Sequence, residues 1–268
     1  MVEVSVIMTF FNENVDQIKR SVSSILNQTF KNLEFIVVAG NPDNKDSINY
    51  LKGLSDPRLI LDICPKKERM TNCLNKAIRM CKGKYIAIQE ADDESLPERL
   101  EEQYLFMTKN PEIDVVGASI RYIDDYSKEI LAVRKYPADP TYAFHRYAAI
   151  AHPTIFVKRH IFETKGYYAE SDEFRNCPDY ELWFRWLIGG VKFYNLNKVL
   201  FNYYQTKDNG RNKNAKKTLK AVVKLKEENK KHFPFSIKDN LFLIAEKVLS
   251  FFPQSFISRL FYVWVKLS

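Results

Sequence analysis

A cluster of acidic side chains follows an apolar run in the first half of the chain. The cluster is QEADDE, residues 89–94, and it comes directly after YIAI, residues 85–88. Carboxylates at the carboxyl end of a buried parallel strand lie where open α/β sheets bind their ligands. Hard oxygen ligands of this kind suit Mg²⁺ or Mn²⁺ carrying a diphosphate. The alternative is a solvated turn before a helix, with Asp93 or Ser95 as the helix N-cap.

A second candidate for chemistry is Asp179 in the segment CPDYELW, residues 177–183. This carboxylate stands at the start of a segment with large apolar residues that predicts a helix. It can act there as a general base or as the N-cap of the helix. The local sequence by itself favours the cap.

Alternating strands and helices must position both groups. Continuous apolar runs predict buried strands at residues 4–9, 33–38, 59–63 and 85–88. Helical spacing of apolar residues predicts helices after the capping pair Asn14 and Gln17, at residues 47–54 and at residues 71–80. Pro97 predicts the first turn of a further helix. This alternation is typical of a parallel α/β sheet.

The second half of the chain has a different pattern. Residues 113–123 and 130–136 predict an antiparallel excursion, and further strands are predicted at 153–157, 192–194 and 199–203. A helix is expected at 180–188, where Gly189 and Gly190 end it. We therefore divide the chain into a catalytic domain at residues 1–206, with halves at 1–110 and 111–206, and a helical tail at 207–268.

The tail carries the positive charge of the chain. Of the formal net charge of +8, residues 207–268 hold 14 Lys and Arg against 5 Asp and Glu, so the remainder is close to neutral. Helices are expected near residues 215–232, 237–252 and 254–267, and their longest apolar run is far below the ~20 residues of a membrane span. A basic helix followed by amphipathic helices, with Tyr262 and Trp264 at the boundary, favours contact with an anionic membrane surface. Packing on the catalytic domain or on another subunit is the alternative, and no nucleic-acid motif accompanies the charge.

Composition places the chain among folded, unexported proteins. Apolar residues make up 46% of the 268 residues, which is too many for a disordered chain. The four cysteines show no zinc-site spacing, and the N-terminus has no basic segment before a long apolar run. We expect a cytoplasmic location, peripheral on the inner face of the cell membrane.

Five blocks, in order along the chain, resemble the inverting family 2 glycosyltransferases of GT-A fold. The blocks are VSVIMTFFN at 4–12, SILNQTF at 24–30, GKYIAIQEADD at 83–93, PERLE at 97–101 and DYELWFR at 179–185. The resemblance runs from residue 4 to about residue 205. It implies a GT-A α/β fold with a mostly parallel central sheet flanked by helices, here followed by a helical extension.

The resemblance also implies roles for individual residues on the donor side. Thr9, Phe11 and Asn12 match the strand-end segment that lines the base, and a Phe ring can stack on uracil where the family usually has Tyr. Asp93 matches the ligand of a divalent cation, Mn²⁺ or Mg²⁺, and Asp92 matches a group that reaches ribose or sugar hydroxyls. Glu90 stands at a nucleotide-sugar-binding position where many members have Asp.

On the acceptor side, Asp179 matches the catalytic base, although Pro178 replaces the acid that commonly precedes it. The base would take the proton of an acceptor hydroxyl as that oxygen attacks the anomeric carbon. His152, in the segment AHPT, resembles a family segment near the acceptor, and a structural role is equally open.

Three departures from the family pattern concern the donor. Residues 39–43, AGNPD, replace the acids that usually contact uracil, so this contact is either missing or supplied by Asn41 or Asp43. Arg69 stands where many members have Gly, and it is either a base or phosphate contact or a solvated surface residue. Diphosphate contacts are expected from a basic loop that contains Lys207, Arg211 and Lys213.

The resemblance implies a metal-dependent inverting transferase. It would move a sugar from a nucleoside-diphosphate donor, with UDP the expected nucleotide, to a hydroxyl of a glycan or lipid-linked glycan in bacterial surface polysaccharide synthesis. An oligomer is possible. One alternative is a degenerate member that binds nucleotide sugars without turnover. A dinucleotide-dependent oxidoreductase is disfavoured, because TFFNE at 9–13 contains no glycine after the first strand.

Overall fold

Continuous apolar runs form the parallel half of the sheet. In the computed structural model, which describes residues 2–205, 210–233 and 235–267 and only the backbone of 210–213 and 261–267, the first strands are those predicted. They are β1 (Val4–Phe10), β2 (Leu33–Ala39), β3 (Leu59–Ile63) and β4 (Tyr85–Glu90). All four are parallel, in the order β3-β2-β1-β4. Every residue of β2 is buried, as expected where helices cover both faces of a parallel sheet.

The helices of this half begin where their caps predict. Helix α1 (Val15–Leu26) starts with the predicted capping box of Asn14 and Gln17. It is followed by α2 (Lys45–Lys52), α3 (Met70–Met80) and α4 (Arg99–Lys109). The prediction that Pro97 lies in the first turn of α4 is wrong, because the helix begins two residues later. The Pro97 carbonyl instead accepts from the Thr29 backbone N–H at 2.9 Å.

The rest of the chain extends the same sheet with five further strands of mixed direction, two of which pair in parallel. These are β5 (Glu94–Ser95), β6 (Val115–Asp124), β7 (Ile130–Arg134), β8 (Phe156–Lys158) and β9 (Phe193–Gln205). The nine strands of the described residues form one sheet, in the order β3-β2-β1-β4-β8-β6-β9-β5, with β7 paired to β6. The antiparallel excursion of β6 and β7 is confirmed.

Three predicted elements of this half differ from the structure. Residues 152–154 form a 3-10 turn, so the strand expected from residue 153 begins only at Phe156. The two late strands are one strand, β9, whose pairing with β6 shifts register between Ala118 and Ile120. Helix α5 (Arg159–Lys165) was not predicted from the sequence, while the predicted helix at 180–188 is α6 (Pro178–Ile188).

The tail consists of α7 (Gly210–Asn229), α8 (Ile237–Leu249) and α9 (Gln254–Leu267). Helix α7 packs on the catalytic domain, since Ala221 and Leu225 belong to its main core. The buried Lys226 ammonium donates to the Arg146 carbonyl at 2.8 Å and pairs with Glu246 of α8 at 2.6 Å. The alternative of packing on the catalytic domain therefore holds for α7. Within the described residues, no helix is both long enough and apolar enough to cross a bilayer.

Gly83, just before β4, offers a test of this packing. A Cβ atom there would lie 2.6 Å from the Ser5 backbone nitrogen, so the two segments approach too closely for any side chain. We expect Gly83→Ala to lower the free energy of unfolding by about 1–3 kcal/mol, as overpacking does. Gly53→Ala is the matched control, because its nearest neighbour would be 3.4 Å away and its φ is −78°. Equal Cm values for both variants in urea unfolding would contradict this account.

Candidate functional site

The Asp93 side chain is buried directly after the end of β4. One of its carboxylate oxygens, Oδ1, accepts from the Tyr204 backbone N–H at 2.7 Å. This bond links residues 90–94, which we call the acidic turn, to β9. The other oxygen, Oδ2, is buried and has no hydrogen-bond partner in the part of the chain that the structure describes. An unsatisfied buried carboxylate oxygen is costly unless a cation or a donor approaches it. This oxygen is therefore the atom of the cluster that fits a bound cation.

The neighbouring carboxylates reinforce that demand. Burial, with the charges of Glu90 and Glu13, raises the pKa of Asp92 to about 7. Burial, with the charge of Asp92, raises the pKa of Asp93 well above its ordinary value. Ionisation of both acids at neutral pH is thus unfavourable without added positive charge. The cluster is an acidic site that a cation would stabilise.

Arg20, on α1, is the nearest fixed cation, and the sequence analysis missed it. Its guanidinium donates to the Asp92 carbonyl oxygen, pairs with Asp125 at 2.7 Å and lies 3.6 Å from the centre of the Tyr204 ring. No local signal marks this residue, because Asp125 is 105 positions away along the chain. Arg20 holds the backbone of the acidic turn, and it leaves Asp93 Oδ2 unpaired.

His152 connects the acidic turn to the second half of the chain. Its Nδ1 atom is 2.7 Å from Glu90 Oε1, and its Nε2 atom is 2.9 Å from the Tyr168 hydroxyl. Burial lowers the pKa of His152, but the hydrogen bond to Glu90 and the charges of Glu90 and Asp179 raise it more, so the overall direction is upward. The charges of Glu90, from the first half of the chain, and Asp179, from the second half, therefore both raise the pKa of His152.

Asp179 is the second residue of α6 and is half-buried. The N-cap of that helix is Cys177, and no side chain caps it, so the N-cap alternative for Asp179 is wrong. Among the described residues, the Asp179 carboxylate has no hydrogen-bond or ion-pair partner. It is a negative charge near His152 that remains available to a ligand.

The predicted donor-side residues lie at the carboxyl ends of β1 and β2. Phe11 is 38% exposed, so its ring does not fill the core and can stack on a ligand. The Asn41 amide donates to Asn12 Oδ1 at 3.1 Å, and the Thr9 backbone pairs with Val38 and Glu90. The structure thus brings these residues to one sheet edge with the acidic turn.

Arg69 and the basic loop are the remaining residues predicted to contact the donor. The Arg69 guanidinium pairs with Asp172 at 2.9 Å and donates to the Glu170 carbonyl at 3.4 Å, so it is not simply solvated. Lys207 and the side chains of Arg211 and Lys213 lie outside the described residues, as do those of Tyr262 and Trp264.

The carboxylates of the acidic turn suit a hard divalent cation that also binds phosphate. Across residues 2–205, 210–233 and 235–267, no three His, Cys, Asp or Glu side chains form a ready-made metal cage. Mg²⁺ and similar ions are commonly held by one or two carboxylates together with substrate phosphates, which does not require such a cage. The unpaired Asp93 Oδ2 fits that mode of binding.

Sequence comparison decides the family. The model of the glycosyl transferase family 2 matches residues 5–164, which include β1, β4 and the acidic turn. The chain belongs to this family. It is a glycosyltransferase, and the resemblance seen in the five sequence blocks is confirmed.

Two relatives show how far the similarity extends. An uncharacterised glycosyltransferase of Methanocaldococcus jannaschii is 32% identical over 239 residues, covering 86% of this chain and 81% of the relative. The O-antigen biosynthesis glycosyltransferase WbnJ of Escherichia coli is 33% identical over 191 residues, covering 68% of this chain and 72% of WbnJ.

Solved structures confirm the GT-A fold of this glycosyltransferase. The mannosyltransferase PcManGT from Pyrobaculum calidifontis, in complex with GDP-Man and Mn²⁺, superposes with a TM-score of 0.65 at 14% identity, covering 96% of this chain and 72% of that one. Residues 1–349 of TarS from S. aureus, in complex with UDP-GlcNAc, give a TM-score of 0.68 at 13% identity, covering 90% and 70%.

The raised pKa values of the acidic turn predict a dependence of stability on pH. An acid with a higher pKa in the folded chain binds more protons there, so the free energy of unfolding falls as pH rises. For Asp92 this window runs from about pH 4, its ordinary pKa, to about 7. We expect the free energy of unfolding without divalent cations to fall across this window, by up to ~1.4 kcal/mol per pH unit for each such group, and the Tm to fall with it.

Asp92→Asn should flatten this fall, and Asp56→Asn is the control. The pKa of Asp56 is lowered by its hydrogen bond to Arg58, so its contribution changes only below about pH 4. Differential scanning fluorimetry from pH 4 to pH 8 makes the measurement. The same fall in Asp92→Asn as in the parent would contradict the assignment of the raised pKa.

Proposed function

We propose that the chain catalyses metal-dependent, inverting transfer of a sugar from a UDP-sugar to a hydroxyl of a glycan or lipid-linked glycan. The observation behind this proposal is the buried Oδ2 of Asp93, which has no hydrogen-bond partner among the described residues, in a chain whose other half presents the free Asp179 carboxylate. Donor acids and a free carboxylate from opposite halves of the sheet can flank a reacting anomeric carbon. Surface polysaccharide synthesis is the expected setting, and the named activity of WbnJ supports it.

On the donor side, the exposed Phe11 ring would stack on uracil, while Asn12 and Asn41 would bind polar atoms of the base. Thr9 would complete the wall at the end of β1. The structure of TarS with UDP-GlcNAc supports a uridine nucleotide by analogy of fold. The GDP-Man of PcManGT is the competing nucleotide, which direct binding measurements would separate.

The acids would divide the work at the diphosphate. Asp93, through its unpaired Oδ2, would hold Mn²⁺ or Mg²⁺, and that charge favours departure of the nucleoside diphosphate. Asp92 would bind a ribose or sugar hydroxyl. Arg69, released from Asp172, would reach base or phosphate.

Asp179 would act as the general base. Its carboxylate would take the proton of the acceptor hydroxyl while that oxygen forms a bond to the anomeric carbon and the bond to the diphosphate breaks. Attack from the face opposite the leaving group inverts the anomeric configuration. A single positioned carboxylate is sufficient for this step, and such proton transfer contributes roughly 10²–10⁴-fold to the rate.

Asp179→Asn tests the assignment of the base. We expect turnover of UDP-sugars to fall by roughly 10²–10⁴-fold, while the Kd for UDP with Mn²⁺ stays within about twofold of the parent, because the proposal places Asp179 on the acceptor side. A panel of UDP-sugars assayed for transfer and hydrolysis, with isothermal titration calorimetry, makes both measurements. Glu181→Gln is the control and should retain turnover. Glu181 lies two residues after Asp179 on α6, and its carboxylate pairs with Arg185. Unchanged turnover in Asp179→Asn would remove this residue from the mechanism.

We also propose that the tail rests on an anionic membrane surface on the cytoplasmic side, where a lipid-linked acceptor would be found. Helix α8 exposes an apolar stripe on the side opposite its buried Leu243. The stripe consists of Ile237, Leu241, Ile244 and Val248, all more than half exposed. Its spacing of three or four residues places these side chains on one face. Phe251, which is 73% exposed, extends the stripe toward α9.

Substitution of the stripe tests this surface. Burying an aliphatic side chain fully stabilises binding by about 1.5–3 kcal/mol, so Leu241→Ser with Ile244→Ser should weaken partition onto anionic phosphatidylglycerol vesicles at least tenfold. Ile130→Ser with Tyr142→Ser removes two equally exposed apolar side chains elsewhere and should leave partition unchanged. Vesicle sedimentation makes the measurement. Failure of the parent chain to sediment, or equal loss in both double variants, would refute membrane contact.

A further inference from the structure

Both ring nitrogens of His152 are engaged, one by each half of the protein. Glu90 Oε1 lies 2.7 Å from Nδ1, and the Tyr168 hydroxyl lies 2.9 Å from Nε2. Because a carboxylate accepts hydrogen bonds, we assign the proton of the contact with Glu90 to Nδ1. The imidazole therefore has one defined orientation, which is set by Glu90.

The surroundings of the ring restrict it further. The Trp183 and Tyr168 rings lie 6.2 Å and 5.9 Å from the His152 ring, centre to centre. The backbone around His152 is a 3-10 turn whose Thr154 hydroxyl donates to the Ala151 carbonyl at 2.8 Å. His152 therefore belongs to a hydrogen-bonded turn.

Tyr168 extends the connection to α3. Its backbone N–H donates to Asn75 Oδ1 at 3.0 Å, and its carbonyl accepts from the Asn75 amide at 2.9 Å. From Tyr168 the chain runs through an exposed segment, residues 169–176, to α6 and Asp179. The hydrogen bonds of Tyr168 to Asn75 and His152 therefore fix the position of the first end of this segment.

We propose that Glu90 is a positioning residue for His152 and not a donor ligand, and that His152 with Tyr168 holds the segment leading to Asp179 beside the donor site. The proposal rests on the proposed function, in which Asp179 is the base. Side-chain length supports it: Glu reaches one methylene farther than Asp, and Oε1 uses that reach to bond His152. A shorter acid at this position would leave Nδ1 without its partner.

Glu90→Asp and Glu90→Gln separate the two roles. Glu90→Asp keeps a carboxylate but loses the reach, whereas Glu90→Gln keeps the reach and an accepting Oε1. If Glu90 positions His152, Glu90→Asp should speed hydrogen exchange of the Tyr168 and Cys177 amides at least tenfold, and Glu90→Gln should change it less than threefold. In both variants the Kd for UDP with Mn²⁺ should stay within about twofold.

The protonation of His152 provides a signature that a general loss of stability would not move. The chain has four histidines, so His152→Gln assigns the signal in ¹⁵N-histidine NMR. Nδ1 should be protonated in the parent and in Glu90→Gln, and this preference should be lost in Glu90→Asp. Tyr85→Phe, at the opposite end of β4, is a control for the matching Tyr168→Phe variant, which should also speed exchange of the Cys177 amide.

Two results would overturn the proposal. One is unchanged exchange and unchanged His152 protonation in Glu90→Asp, and the other is a loss of UDP and Mn²⁺ affinity of tenfold or more in either Glu90 variant. Neither measurement requires turnover. Failure of the proposed function would instead appear as full turnover in Asp179→Asn, so the two failures are distinguishable.

Discussion

The buried carboxylate of Asp93 is the constraint on which the site depends. Its placement directly after a central parallel strand takes negative charge out of water, and the adjacent Asp92 adds a second charge. The structure compensates only in part, through the Tyr204 backbone N–H and the distant charge of Arg20. This turn is therefore suited to a cation and its diphosphate, because the bound cation would supply the positive charge that the surrounding protein does not.

The turn keeps its shape through a buried cation that is not part of the acidic cluster. Arg99 is fully buried, and burial lowers its pKa to about 9. Among the described residues its guanidinium pairs with no carboxylate. It donates instead to the Ile88 and Ile155 carbonyls and the Ser95 hydroxyl. These bonds fasten the end of β4 to the segment that follows His152, so the donor and acceptor halves are held in register by uncharged acceptors.

The tail is joined to the acceptor half by charge as well as by packing. Arg146 pairs with the buried Asp239 of α8, and Lys226 donates to the backbone carbonyl of the same Arg146. Lys224 of α7 pairs with Glu173, in the segment that leads to Asp179. Lys224 and Lys226 are thus engaged within the protein, while the exposed apolar stripe of α8 faces outward.

Local sequence was sufficient to predict elements that depend on residues within one short segment. The buried runs of β1, β2 and β4 and the capping box at Asn14 follow from residue type and spacing, and they place the acidic turn at the end of a strand. The five blocks indicated the family, and with it Asp93 and Asp179. The exposure of Phe11, by contrast, could not be read from its type, since an aromatic residue after a strand fills a core equally well.

Tertiary structure alone decided what the polar groups touch. Arg20 meets Asp125, and Glu90 meets His152, across separations of 105 and 62 residues that leave no local pattern. The two late strands became one because pairing with β6 carries β9 through a shift in register, which residue propensity cannot show. Sequence therefore determined the elements and the chemical groups that they carry. Long-range contact determined the partners of those groups, because hydrogen bonding and charge depend on distance in space and not along the chain.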